Sequence, residues 1–156
     1  MAIPDSIRER IIQEIDYALS QLLTANGFNC NCGNTRERGR KSWEESDLPC
    51  LSLFPGIETA ARTAYGMDQM VMPVRVDMLD NYTGSTTANH KGEKMLADIK
   101  EVMRRSRSAL LAGLAEDIQY TGGGMEDFPE LKTKTVGVTA SFNITYQTRL
   151  GDPYNQ

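Results

Sequence analysis

The sequence predicts an α+β fold, an antiparallel β-sheet with two main helices packed on one face. Three observations carry that expectation. Two stretches place apolar residues at helical spacing, two others alternate with period two, and the elements run helix, strands, helix, strands. The 156 residues contain no repeat and no internal linker long enough to divide two domains, so residues 1–156 are expected to form a single domain. A domain of that length buries roughly 70% of its unfolded surface and needs no disulfide or metal to hold a core.

The first helix is expected over residues 5–24, where Ile7, Ile11, Ile15, Ala18 and Leu22 form a stripe widened by Ile12, Leu19 and Leu23. Asp5 or Ser6 can accept its orphan amide protons, Glu9 completes a capping-box spacing with Ser6, and Asn26-Gly27 supplies a left-handed stop. Residues 28–47 are polar, carry Arg36, Arg38, Arg40 and Lys41, and read as a loop with room for an irregular strand. Cys50, Leu51, Leu53 and Phe54 then make a short buried strand that Pro55-Gly56 ends.

Over residues 69–80, Met70, Met72, Val74, Val76 and Met78 share one face of a strand, and Val71, Pro73, Arg75, Asp77 and Leu79 the other. Pro73 donates no backbone hydrogen bond, which predicts an edge position or a bulge. A polar linker over residues 81–92 leads to a second amphipathic helix over 91–107, marked by Met95, Leu96, Ile99, Val102 and Met103. Glu101 precedes Arg105 by one turn, and Arg104, Arg105 and Arg107 complement the helix dipole. A strand near residues 116–121 is expected to give way to a loop at Gly122-Gly123-Gly124. The longest strand covers residues 135–147, with Val136, Val138, Ala140, Phe142, Ile144 and Tyr146 facing the core.

Forty per cent hydrophobic residues and a net charge of −4 describe an ordinary globular protein. The scattered positive charge argues against a general nucleic-acid binder, and no apolar run is long enough to span a bilayer. The amino end lacks the basic start and apolar stretch of a signal peptide, so a cytoplasmic site of assembly is expected.

Three cysteines, Cys30, Cys32 and Cys50, together with the sole histidine, His90, could in principle complete a zinc site. One pair has a single spacer and the other two ligands stand alone, so free thiols are expected instead. His90 is the only imidazole available to activate a nucleophile, and it lies in a polar linker. No nucleophile-elbow, metalloprotease or phosphate-loop pattern is present, and the paired carboxylates Glu44-Glu45, Glu116-Asp117 and Glu126-Asp127 read as solvated charges. Neither an enzyme nor a cofactor is expected. The eight methionines read as core rather than an interface.

Several stretches together resemble the tail terminator (minor tail, tail completion) proteins of long-tailed bacteriophages. The amino-terminal helix is similar to theirs, as is Leu48-Pro49-Cys50-Leu51-Ser52-Leu53 leading to a Gly-Ile-Glu segment. Leu111-Ala112-Gly113-Leu114 resembles the family's step from helix into strand, and Tyr146-x-Thr148 with Asp152-Pro153-Tyr154 resembles its closing signature. The loop over residues 28–47 and the triple glycine have no counterpart there. The resemblance implies a small α+β protomer that forms a hexameric ring with copies of itself on the head-proximal end of the tail tube. That ring would stop tube polymerisation and present a surface to the head-tail connector or stopper protein, with the sheath protein a further partner if the tail is contractile. The location it implies is the tail or neck of the virion.

Thr145, Gln147 and Arg149 are expected on an exposed strand edge or ring surface, joined by Asp152, Pro153 and Tyr154 as interface residues, while Phe142, Ile144 and Tyr146 anchor the core. Removing the residues after Arg149 should then impair assembly more than folding. Three other readings compete: another neck component, such as a head-tail joining or stopper protein; a nucleic-acid-binding module using Arg36, Arg38, Arg40 and Lys41 with Trp43 and Tyr65; and, weaker than both, a zinc-dependent enzyme built on Cys30, Cys32, Cys50 and His90.

Overall fold

The computed structural model describes residues 2–63, 65–83, 87–108, 110–126 and 134–156. Its α+β architecture is a six-stranded sheet with two main helices, α1 (Ile7–Ser20) and α2 (Ala88–Ser108). The strands are β1 (Arg36–Arg38), β2 (Cys50–Pro55), β3 (Thr59–Arg62), β4 (Met67–Asn81), β5 (Asp117–Glu126) and β6 (Thr135–Arg149). Their order is β1-β2-β4-β6-β5, with β3 pairing the first part of β4 beyond the end of β2. The sheet is mixed rather than wholly antiparallel, because β1 runs parallel to β2. All other pairings are antiparallel.

Period two places the core. Val74, Val76 and Met78 of β4 lie opposite Phe142, Ala140 and Val138 of β6, and all six are buried. Leu51 and Leu53 of β2 continue the same face against Met78 and Val76. Ile7, Ile11, Ile15 and Leu19 of α1 and Met95, Ile99, Val102 and Met103 of α2 close over it in one apolar cluster. Each such side chain contributes about 1.5–3 kcal/mol on full burial, which is why the stripes visible in the sequence became these helices.

The helix ends obey local rules. Ser6 caps α1 by accepting a hydrogen bond from the Glu9 amide at 3.1 Å. The Glu9 carboxylate, expected to close a capping box, reaches across to Arg38 at 2.8 Å instead. The helix stops at Ser20, and Gly27 (φ 85°) ends a following single turn of tighter helix, Thr24–Asn26. On α2, Thr87 accepts from the His90 amide at 3.2 Å, so His90 sits exposed in the first turn. Arg104 and Arg105 both bind Glu101, at 2.8 and 3.0 Å, and pull its carboxyl down to about 2. The side chain of Arg107 lies outside the described residues, as does Asp127.

Three further expectations require correction. Pro73 lies on an interior strand, opposite Asn143 of β6. Its carbonyl accepts from the Gly56 amide at 2.7 Å, on the flank where β2 has ended and β3 has not begun, so no strand partner asks Pro73 for a donor. The triple glycine is not a loop but the middle of β5, paired with Ser141, Ala140 and Thr139 after a bulge between Tyr120 and Gly122. β6 supplies an unbroken partner there, and an added Cβ at Gly123 would stand 2.4 Å from the Thr139 carbonyl oxygen. Finally, β3 was not foreseen as a strand: all four of its residues are exposed, so no apolar alternation announces it.

A second, smaller apolar cluster lies on the opposite face of the sheet. Trp43, Cys50 and Leu79 form it, with Leu48 against them. The Trp43 indole donates to Ser52 Oγ at 3.1 Å, and Ser52 passes a hydrogen bond to the Arg40 carbonyl at 2.6 Å. All three cysteines are buried free thiols. Burial lifts Cys50 to about 12, and the Cys30 thiol together with desolvation raises Cys32 well above the ordinary range. Because these folded-state values exceed those of an unfolded thiol, their stabilisation is complete below about pH 8.5 and fades as pH rises beyond it. A thiol reagent at pH 8 is therefore expected to leave the native protein unlabelled and to modify three sites in denaturant. Rapid labelling of native protein would contradict the burial.

Candidate assembly surface

The helices cover one face of the sheet, and the other face presents a polar, hydroxyl-rich surface. Along β6 it carries Thr139, Ser141, Asn143, Thr145 and Gln147, opposite Asp77, Arg75, Pro73, Val71 and Gln69 of β4. Thr139 donates to Asp77 at 2.7 Å, and Arg75 pairs with Asp77 at 3.1 Å while its guanidinium lies 4.4 Å over the Phe54 ring. These side chains hold one another in place, and Phe54, Gly56, Pro73, Arg75, Thr121 and Ser141 border a cavity of about 220 Å³ on this face.

Of the expected interface residues, Thr145 and Gln147 do lie on this face, alternating with buried Ile144, Tyr146 and Thr148. They are half-buried, and Thr145 is not at an edge. β6 is an interior strand, and Thr145 has Val71 on one side and Asp117 on the other. Sequence periodicity reports which face a side chain takes but not how many strands flank it, and that is where the edge expectation failed. Arg149 is exposed at the end of β6.

Asp152, Pro153 and Tyr154 belong to a tail that folds back on its own subunit. The Arg149 amide donates to the Asn155 carbonyl at 3.0 Å, and the Asp152 amide to the Arg149 carbonyl at 2.9 Å. The Pro153 carbonyl accepts the first amide of α1, Ile7, at 2.8 Å, and Gln156 Nε2 donates to the Leu114 carbonyl at 2.6 Å. Asp152 organises the turn by accepting from the Tyr154 amide and the Asn155 side chain, which hold its carboxyl below the usual range. The Tyr154 side chain remains exposed. The tail therefore supports folding as well as offering a surface. Deleting residues 150–156 is expected to lower stability by about 2 kcal/mol, from hydrogen bonds worth roughly 0.5–1.5 kcal/mol each. An unchanged urea midpoint for the truncated chain would show that the clasp contributes nothing.

A link that sequence reasoning missed ties the β2–β3 connection to the core. Arg8 of α1 pairs with Glu58 at 3.0 Å and donates to the Gly56 carbonyl at 2.7 Å, while the Tyr146 hydroxyl donates to the same Glu58 carboxylate. Desolvation and that carboxylate both push the tyrosine's pKa above its ordinary value and keep the phenol protonated. The Gly-Ile-Glu segment is thus pinned at both ends, with Ile57 left pointing outward. No local signal in the sequence joins residues this far apart.

The alternative sites do not assemble. His90 is exposed on α2 while Cys30, Cys32 and Cys50 are buried, and among the described residues no three His, Cys, Asp or Glu side chains converge as metal ligands. Of the basic cluster, Arg36 pairs with Asp16, Arg38 with Glu9, and Arg40 with Glu37 and Asp47. Trp43 is buried beneath Arg40, whose guanidinium lies 4.1 Å from the ring, so no face is offered to a base. Tyr65 stands near the far end of β4, away from β1. Among the described residues no helix is long and apolar enough to cross a membrane.

A cavity of about 490 Å³ lies where Tyr17 and Ala18 of α1 meet Val102, Arg105 and Leu111. Next to it the chain turns from helix into β5 through Leu111 (φ 49°), Ala112 (φ 60°) and Gly113 (φ 81°). Left-handed backbone costs a non-glycine residue about 1–2 kcal/mol, which burial of Leu111 and Leu114 offsets. No protein-family model matches this chain, and no curated protein is significantly similar to it.

Proposed function

We propose that this chain is a structural protein of a long-tailed bacteriophage that caps the head-proximal end of the tail tube as a ring of six copies. The observation that carries the reading is one of order. A capped amino-terminal helix, a Leu-Pro strand, a second helix, a Leu-x-Gly-Leu turn into a strand and a closing strand with an Asp-Pro-Tyr tail follow one another as in tail terminators. They are set in the two-helix α+β architecture that the resemblance implies.

The open sheet face and the sheet edges supply surfaces for copies of the chain, for the tube protein and for the connector or stopper above it. The ion-paired arginines and buried Trp43 favour this reading over a nucleic-acid-binding module. A neck protein one layer closer to the head would share these partners, and the place of binding separates the two. Electron microscopy of the protein mixed with tubes of its own phage should reveal six-fold density at one tube end. Binding to the connector without any binding to tube ends would assign the chain to the next layer instead.

A further inference from the structure

Among the described residues the sheet has three free edges, and they are not alike. β1 is short and carries Arg36, Glu37 and Arg38, the charged composition that discourages strand addition. β5 runs for ten residues with no charge between Asp117 and Glu126. β3 carries Thr59, Ala60 and Ala61 before its single Arg62. Exposed apolar side chains gather at these two less charged edges: Ile57 (91% exposed) and Tyr65 (92%) flank β3, and Tyr120 (38%) and Met125 (42%) lie in β5.

Strand direction adds an independent condition. β3 is antiparallel to β4, β4 to β6 and β6 to β5, so β3 and β5 point in opposite directions on opposite flanks of the same sheet. A second copy placed in the same orientation would therefore bring its β3 antiparallel to the first copy's β5 and continue the sheet. The two edges are different surfaces, so such a contact is head-to-tail and can be repeated until a ring closes.

We propose that copies of this chain join by edge pairing, the β5 edge of one against the β3 edge of the next. Main-chain hydrogen bonds supply the contact, as in other strand additions, and Ile57, Tyr65, Tyr120 and Met125 are the apolar contacts beside it. The glycines suit the role, since a run without side chains leaves the β5 backbone open to a close neighbour. The inference names the subunit contact of the ring proposed above and rests on that reading for closure into six.

Blocking one edge at a time tests it. Lysines at two exposed positions of β3 (Thr59→Lys with Ala61→Lys) or of β5 (Gln119→Lys with Thr121→Lys) leave the core untouched, and circular dichroism and thermal unfolding verify the fold. Native mass spectrometry, alone and with tube protein, should find the wild-type chain in rings and each blocked variant at least tenfold weaker in association. Mixed in equal amounts, the two variants retain one good edge each and should stop at a heterodimer. If both variants still form wild-type rings, edge pairing is overturned while the ring reading survives. A mixture that yields no heterodimer also overturns it, and a wild-type chain monomeric under both conditions sinks the pairing and the ring together.

Discussion

Asp98→Ala is expected to destabilise the protein by about 3 kcal/mol, more than any surface change. Asp98 lies on α2, only 3% exposed, and accepts from the Asn29 amide at 2.8 Å and the Asn29 side chain at 2.7 Å. The pair fastens the segment holding Phe28 and Cys30, both buried, to the helix. Alanine would leave two donors without a partner, each at a penalty of roughly 1–3 kcal/mol, partly relieved where water can enter. Asp98→Asn keeps one acceptor but turns its amide NH2, a donor, toward the other donor, so it should lose about half as much. Urea unfolding distinguishes these outcomes, and an alanine variant with the wild-type midpoint would mean that Asn29 finds other partners at no cost.

Gly33→Ala should lose about 2–3 kcal/mol by a different mechanism. An added Cβ would stand 2.7 Å from the Ser20 carbonyl oxygen and 2.8 Å from that of Leu19, both at the end of α1. Backbone oxygens cannot rotate away, so either the helix end or the 32–34 turn must shift, straining the bond from the Gly33 amide to the Leu22 carbonyl at 3.0 Å. Gly39 makes the control. Its φ of 69° disfavours a side chain but open space surrounds it, so Gly39→Ala should lose only about 1 kcal/mol. Equal losses at the two positions would contradict the contact argument.

The elements legible in the sequence were those whose periodicity reports burial. The isoleucines of α1, Met95 to Met103 of α2, and the alternations of β4 and β6 each state which side faces the core, and the structure buries those sides. β3 could not be read this way, because an exposed four-residue strand has no buried face to mark. The glycine run in β5 misled because glycine's low strand propensity was outweighed by a long neighbouring strand. The folded-back tail was invisible for a third reason. Its contacts with Ile7 and Leu114 are made largely by backbone groups, which every residue carries alike.

The same limits govern the candidate surface. The face taken by Thr145 and Gln147 was readable from alternation, while strand order, and with it the identity of the free edges, depends on which distant segments pair. The one local clue was charge. Arg36-Glu37-Arg38 is how a protected edge looks, and the charge-free run around Gly123 is how an unprotected one does.

Tube capping is tested most directly by polymerising the tail-tube protein of the same phage with and without this chain and measuring tube lengths. Substoichiometric amounts are expected to bind one end of each tube and prevent growth or tube-to-tube joining there, while the other end stays free. Tubes that grow from both ends at an unchanged rate, with the protein left in solution at saturating concentration, would contradict it.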